Sequence, residues 1–280
     1  MRRGRRNSGA HNTKKEGWDA PWPSGGFLLP SDEPFERREA EAWLSTWIKT
    51  PPSDLGALDV EIREDPRFLR GSELLALGMR EEAEGEFEAL RREFNKAPLS
   101  LYQLSLAFRE LGFYRLSIRC AIQLIRLSPA QSLEEAPVFL QRLAYPIYFH
   151  DLVVTEARAK GIDPLLLFAL IRQESVFEER ATSRSDARGL TQIIPKTGNW
   201  IAAKLGWEGY RGEHLYRPYL NVKFGVWYLS RQLREFDGDI FAALAAYNGG
   251  PTNAKNWLRI GGGDNDLFVE GISKSESQLY

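Results

Sequence analysis

Apolar residues recur at helical spacing along most of this chain. A helix over 151–160 is predicted to end at Gly161, and Asp163 and Pro164 then open the next one as N-cap and first-turn proline. In that next helix Leu167, Leu170, Ile171, Glu174 and Phe177 fall three or four residues apart or side by side, which lines them up in one row. A loop rich in Ser, Arg and Gly follows from 178 to 191, and Pro195 starts a helix through Leu205. Val222, Val226, Leu229, Leu233 and Phe236 trace a +4, +3, +4, +3 stripe, the pattern of an amphipathic helix. Asp239 caps a short apolar helix to Tyr247, which Asn248–Gly249–Gly250–Pro251 ends. The pattern from about residue 36 to 150 is helical throughout. With no strand ladder to set against these helices, the predicted fold class is all-α.

Within the first half the pattern repeats. Leu77–Gly78–Met79–Arg80–Glu81–Glu82–Ala83 returns 34 residues later as Leu111–Gly112–Phe113–Tyr114–Arg115–Leu116–Ser117. Each Gly is followed at +5 by a small residue (Ala83, Ser117) and at +12 by a leucine (Leu90, Leu124), and Pro129 closes the second copy. This resembles the tetratricopeptide pattern, in which two antiparallel helices cross closely at small residues. Such an array serves equally as scaffold or as a peptide-binding surface.

Composition narrows the function classes. The 280 residues are 43% hydrophobic and 12% aromatic, enough for a substantial core, and the net charge is −1. No basic field calls for nucleic acid. Cys120 is the single cysteine and His11, His150 and His214 are scattered, so neither a disulfide nor a metal-ligand spacing is expected. No apolar run is long enough to span a membrane. Residues 1–35 are rich in Gly, Ser, Pro and charge, basic through Arg2, Arg3, Arg5, Arg6, Lys14 and Lys15, with Trp18 and Trp22 isolated among them. They read as a flexible, solvated tail without the apolar region of a secretory signal. Three regions result: 1–35, a helical-repeat region 36–145, and 146–280.

Glu174 is the most informative residue. A carboxyl on an apolar stripe is desolvated, which disfavours its charged form and is expected to raise its pKa. A carboxylic acid that stays protonated near neutral pH can donate a proton to a glycosidic oxygen. A structural glutamate paired with Arg172 or Arg188 is the alternative on spacing alone. Three further segments follow in order: Gly189–Leu190–Thr191–Gln192–Ile193–Ile194–Pro195, then Asn221 with Gly225 and Tyr228–Leu229, then Ala245–Ala246–Tyr247–Asn248–Gly249–Gly250. Together with Glu174–Ser175, this constellation resembles the soluble lytic transglycosylase family over roughly residues 145–280. The helical array before it resembles that family's superhelical part.

The resemblance implies a goose-type-lysozyme-like catalytic domain that acts on bacterial peptidoglycan, cleaving the β-1,4 bond between N-acetylmuramic acid and N-acetylglucosamine. It implies one catalytic carboxyl, Glu174, which protonates the leaving oxygen and then acts as base on the muramoyl 6-hydroxyl to give a 1,6-anhydro product. It further implies substrate contacts at Ser183, Gln192, Tyr247, Asn248 and Glu276, with the Tyr247 hydroxyl near the catalytic carboxyl. No metal or organic cofactor is expected, since the glutamate and the substrate's own hydroxyl carry the chemistry. Peptidoglycan strands are the expected partner, with a protein partner through the repeats left open, and the cell envelope is the location inferred from the substrate. Two positions depart from the family pattern. Thr191 stands where the family usually has Met, which is expected to alter sugar packing. Asp186 stands where it usually has Gly, and Asp tolerates the left-handed backbone that a glycine there suggests. The sharper alternative makes Asp186 a second carboxylate that positions water, which would turn the enzyme into a muramidase. A non-enzymatic glycan-binding adaptor is the rival from another class. Trp200, Trp207, Trp227, Trp257, Tyr216 and Tyr219 have the chemistry to stack on sugars, but at helical spacing most aromatics are core.

Overall fold

The two 34-residue units fold as helical hairpins of the same build. The structure is a computed structural model that describes residues 33–49, 51–261 and 268. In chain order its helices are α1 (Glu33–Ser45), α2 (Val60–Arg63), α3 (Pro66–Ala76), α4 (Arg80–Glu93), α5 (Pro98–Glu110), α6 (Tyr114–Leu127), α7 (Val138–Ala144), α8 (His150–Arg158), α9 (Pro164–Ser175), α10 (Pro195–Leu205), α11 (Pro218–Glu235), α12 (Ile240–Gly249) and α13 (Pro251–Gly261). A 3-10 turn, Gly212–Tyr216, lies between α10 and α11. Among the described residues β structure is limited to two isolated bridges, Thr182 with Arg188 and Arg188 with Ile193. The all-α expectation holds.

The hairpins α3–α4 and α5–α6 turn through Gly78 (φ 77) and Gly112 (φ 76), both left-handed. The residue after each glycine donates its N–H back to the carbonyl five residues earlier, Met79 to Leu74 O at 2.9 Å and Phe113 to Phe108 O at 2.8 Å. The small residues named from sequence sit where the helices cross: Ala83 and Ser117 are buried, and the Ser117 hydroxyl donates to Ser105 O at 2.7 Å. Leu90 and Leu124 are buried beneath them. Phe87 packs against Phe108 and Phe113, with ring centroids 5.4 and 5.1 Å away. The core built this way runs from Ala40 to Ala144 and joins α1 and α7 to the hairpins. Fully burying each such side chain stabilises by about 1.5–3 kcal/mol. Helix α1 already opens at Glu33, so the helical region starts three residues before position 36.

Beyond α7, proline stands in the first turn of α9, α10 and α11, where its missing N–H is tolerated. Asp163 accepts from Leu165 N at 2.8 Å and Asp239 from Ala242 N at 3.0 Å, the two caps expected from sequence. A second apolar cluster gathers Phe236, Ala242, Ala245, Ala246, Ala254 and Phe268. Aromatic stacking connects the two halves: Tyr114 of α6 lies 3.9 Å from Tyr148, and the Tyr148 ring meets Phe177 edge-on at 5.6 Å. No helix of the described residues is long and apolar enough to cross a membrane.

Candidate active site

Helix α9 delivers Glu174 to the site and then stops. Leu167, Leu170, Ile171 and Phe177 are buried as the stripe predicts, whereas Glu174 is only half-buried. The row is shorter than expected, because α9 ends at Ser175. Val176 (φ 52) and Phe177 (φ 61) both leave the helix in left-handed conformations. A β-branched residue at positive φ is a costly arrangement that persists only where surrounding packing enforces it. This turn lets α9 present Glu174 at its last helical turn while Phe177 goes into the core.

The segment from Gly189 to Ile193 forms the opposite support. The Ser175 hydroxyl lies 2.9 Å from Leu190 O and 3.1 Å from Ile171 O, so the residue next to Glu174 ties its helix to this loop. Gly189 has φ 76, and a Cβ there would lie 2.2 Å from Leu215 O. Asn221 of α11 is the anchor. Its Oδ1 accepts from Thr191 N and from the Thr191 hydroxyl, both at 2.7 Å. Its Nδ2 donates to Arg188 O and Leu215 O, both at 2.8 Å. Gly225, one turn along α11, leaves room for the Thr191 side chain, since a Cβ there would meet Thr191 Oγ1 at 2.5 Å. Thr191 is therefore wholly buried under the loop. The expected effect on sugar packing is corrected: its hydroxyl and methyl face Asn221 and Gly225 rather than the cleft.

Gln192 (φ 49) turns the other way. Its Nε2 donates to Gly189 O at 2.9 Å and Ala181 O at 3.2 Å, which engages both amide hydrogens and leaves Oε1 as the group it offers a ligand. Ser183 organises the preceding loop: its hydroxyl accepts from Ala187 N at 3.0 Å and from Ser185 N at 3.2 Å. Tyr247 of α12 is buried, and its hydroxyl donates to Thr191 O at 2.8 Å. Burial pushes its pKa well above the ordinary tyrosine value, and the negative charge of Glu174 raises it further, which puts the two side chains in electrostatic contact.

These residues surround a cleft of about 440 Å³ lined by Glu174, Ser183, Gln192, Tyr228, Tyr247 and Asn248, among others. Five of the six site residues expected from sequence thus meet in one place. The sixth, Glu276, lies outside the described residues. Ser175 and Asn221 act beneath the cleft and went unassigned from sequence, though both stand inside the recognised motifs. Tyr228, which stands in the Asn221–Leu229 motif but was given no role there, lines the cleft and meets Tyr247 edge-on at 5.2 Å. The two arginines weighed as partners of Glu174 have other commitments. Arg172 lies over the Tyr145 ring at 3.9 Å and donates to Ala144 O, while Arg188 grips Asp186 through Nε at 2.8 Å and Nη2 at 3.1 Å. Among the described residues no three His, Cys, Asp or Glu side chains are grouped to hold a metal ion.

Comparison with known proteins places this cleft in a family context. Residues 151–266 match the Transglycosylase SLT domain family. Over 139 residues the chain is 34% identical to the soluble lytic murein transglycosylase of Salmonella typhimurium, an alignment covering 49% of this chain and 22% of that protein. The crystal structure of the 70-kDa soluble lytic transglycosylase of Escherichia coli superposes with a TM-score of 0.66 at 25% identity, covering 83% of this chain and 36% of that one. That coverage exceeds residues 151–266 and takes in helices before them. An inactive Glu-to-Gln mutant of lytic transglycosylase Slt from Pseudomonas aeruginosa gives the same TM-score and identity over 89% of this chain and 41% of that one. In each case the chain spans less than half the length of the relative.

Proposed function

We propose that this homologue of the soluble lytic murein transglycosylases cleaves the β-1,4 bond between N-acetylmuramic acid and N-acetylglucosamine in peptidoglycan, with Glu174 as its one catalytic carboxyl. The observation that carries the reading is the cleft itself, whose wall holds Glu174, Ser183, Gln192, Tyr247 and Asn248 together. Protonated Glu174 gives its proton to the glycosidic oxygen as the C1–O bond breaks. The resulting carboxylate then takes the proton of the muramoyl 6-hydroxyl, whose oxygen closes on C1. The product is a 1,6-anhydro sugar, no water is consumed, and Glu174 ends protonated as it began. Gln192 accepts the N-acetyl N–H through Oε1, the one polar atom its internal hydrogen bonds leave over. Ser183 and Asn248 contact the glycan at the rim, Glu276 extends that contact, and Tyr247 holds the Thr191 carbonyl beneath it.

The muramidase alternative needs Asp186 to position water. Its backbone instead answers the family's glycine with a left-handed φ of 61, and both carboxylate oxygens are engaged by Arg188 at the surface. These observations favour a loop role for Asp186. The glycan-binding adaptor is disfavoured by the presence of Glu174, Gln192 and Tyr247 on one cleft. The reading also carries the division into a helical-repeat region (36–145), open to a protein partner, and a catalytic domain (146–280). It carries a location in the cell envelope as well, where peptidoglycan lies.

Mass spectrometry of muropeptides released from purified peptidoglycan tests this directly. Wild type and Asp186→Gly are both expected to release anhydro-muropeptides, each one water lighter than its hydrolysis counterpart, at similar rates. Reducing-end products that vanish in Asp186→Gly would replace the transglycosylase by a muramidase.

A further inference from the structure

Glu178 is a buried carboxyl for which the mechanism has no use. It is only 5% exposed, and it lies four residues beyond Glu174, directly after the left-handed Val176 and Phe177. Its Oε2 is buried without a hydrogen-bond partner, and its Oε1 has only a long contact, 3.4 Å, from Arg180 N. The charges that act on it come from the helical repeats: Glu84 and Arg80 on α4, and Arg115 on α6. Neither guanidinium is aimed at it. Arg115 forms an ion pair with Glu84, while Arg80 donates to Gly112 O at 2.6 Å and lies over the Phe113 ring at 4.1 Å. An ionised carboxylate in this place would be a buried charge compensated only in part, by Arg80, Arg115 and the Arg180 N–H, whereas a neutral acid avoids most of that penalty. Desolvation is the first cause that pushes its pKa up and the Glu84 carboxylate the second, with Arg80, the Arg180 N–H and Arg115 opposing.

The same short segment is linked to the repeats through aromatic rings. Phe177 is buried against Tyr148, and Tyr148 stacks on Tyr114 of α6. Phe177, the second residue of the strained turn, is therefore linked through Tyr148 to α6, Glu178 is buried directly after it, and the Glu178 N–H closes the turn by donating to Ser175 O at 3.1 Å. A strained backbone needs such over-determination to hold its shape.

We propose that Glu178, buried directly after the turn that Phe177 and Tyr148 link to α6, is a positioning residue through which the helical repeats hold the turn that aims Glu174. The repeats thereby become part of the catalytic apparatus rather than a detachable scaffold. The inference rests on Glu174 as the catalytic acid, so its test pairs an activity readout with two that need no activity.

Glutamine is the neutral isostere of the protonated acid, so Glu178→Gln is expected to keep kcat within about twofold, while Glu178→Ala loses kcat about 10- to 100-fold at nearly unchanged KM. The pH dependence of Tm reads the protonation state. A carboxyl whose pKa is raised by folding contributes its stability below the unfolded value and loses it as pH rises toward the folded value. Glu178→Gln escapes that loss, so its Tm relative to wild type should climb as pH rises above the ordinary carboxyl range. Faster amide exchange at Val176 and Phe177 in Glu178→Ala, with the rest of α9 unchanged, would report a loosened turn. The proposal is overturned by a Glu178→Gln protein that loses Tm relative to wild type as pH rises, since the ionised form would then be the stabilised one. It is equally overturned by a Glu178→Ala protein with unchanged kcat and unchanged exchange. If wild type releases no muropeptides at all, the proposed activity fails, and the Tm and exchange measurements still decide the role of Glu178.

Discussion

Glu174→Gln is expected to lower the rate of glycan cleavage by about 10²–10⁴-fold, the usual contribution of a positioned acid–base group. Glutamine keeps the shape and the hydrogen-bonding reach of the side chain, but it can neither give a proton to the leaving oxygen nor take one from the 6-hydroxyl. Both halves of the proposed reaction fail together, so neither anhydro nor reducing-end products should accumulate. Stability should hardly change. Glu174 is half-buried on the last turn of α9, glutamine matches it in size, and the neighbouring Ser175 hydroxyl ties that turn to Leu190 O and Ile171 O. The measurement is release of muropeptides by the variant beside the wild type, with thermal unfolding of both as the control. A variant that retains more than a tenth of the wild-type rate would remove Glu174 from the chemistry. It would direct attention to the other groups that line the cleft.

Asn221→Ala is the second large effect, and here folding is lost along with activity. The side chain makes four hydrogen bonds in a fully buried site, two with Thr191, one with Arg188 O and one with Leu215 O. Truncation leaves the Thr191 N–H and the Leu215 carbonyl without partners and Arg188 O with only the Ile193 N–H. At about 1–3 kcal/mol for each buried polar group left unsatisfied, partly relieved by entering water, the expected loss is on the order of 3–5 kcal/mol. Chemical denaturation of the variant against wild type measures it. Activity should fall further than the unfolded fraction explains, because the loop tied down by Asn221 carries Gln192 and accepts the Tyr247 hydroxyl. A loss below about 1 kcal/mol, the net worth of a single ordinary hydrogen bond, would mean that the loop holds its shape without this anchor.

What could be read along the chain were interactions that close within a few residues. Periodicity located α9 and α11, the Asp163 and Asp239 caps and first-turn prolines located helix starts, and the 34-residue echo located Gly78 and Gly112 at equivalent turns. Each depends on contacts no more than about five residues apart, which spacing encodes directly. The motifs around Glu174, Gln192 and Tyr247 were legible in another way, through the resemblance of these short ordered strings to the soluble lytic transglycosylase family.

What the sequence misread or left unread concerns partners that are distant in sequence. Extending the α9 row to Phe177 followed from spacing alone. Only the packing of Phe177 onto Tyr148, and through it onto Tyr114, accounts for a helix that stops two residues earlier in a left-handed turn. Thr191 looked like a substitution in the sugar site until Asn221, thirty residues later, was found to hold its backbone and its hydroxyl. The Tyr247 hydroxyl, expected near the catalytic carboxyl, does share the cleft and an electrostatic interaction with Glu174, but its hydrogen bond across 56 residues to the Thr191 carbonyl could not be read from spacing. Glu178 carried no signal at all, because its neighbours Glu84, Arg80 and Arg115 lie in helices more than sixty residues upstream. The sequence by itself therefore determined the helices, the repeat and the residues able to do acid–base chemistry, since those follow from local spacing and side-chain type. Only the tertiary structure decided which way each of those residues faces and what holds it there, because burial and hydrogen-bond satisfaction depend on segments that meet only when the chain is folded.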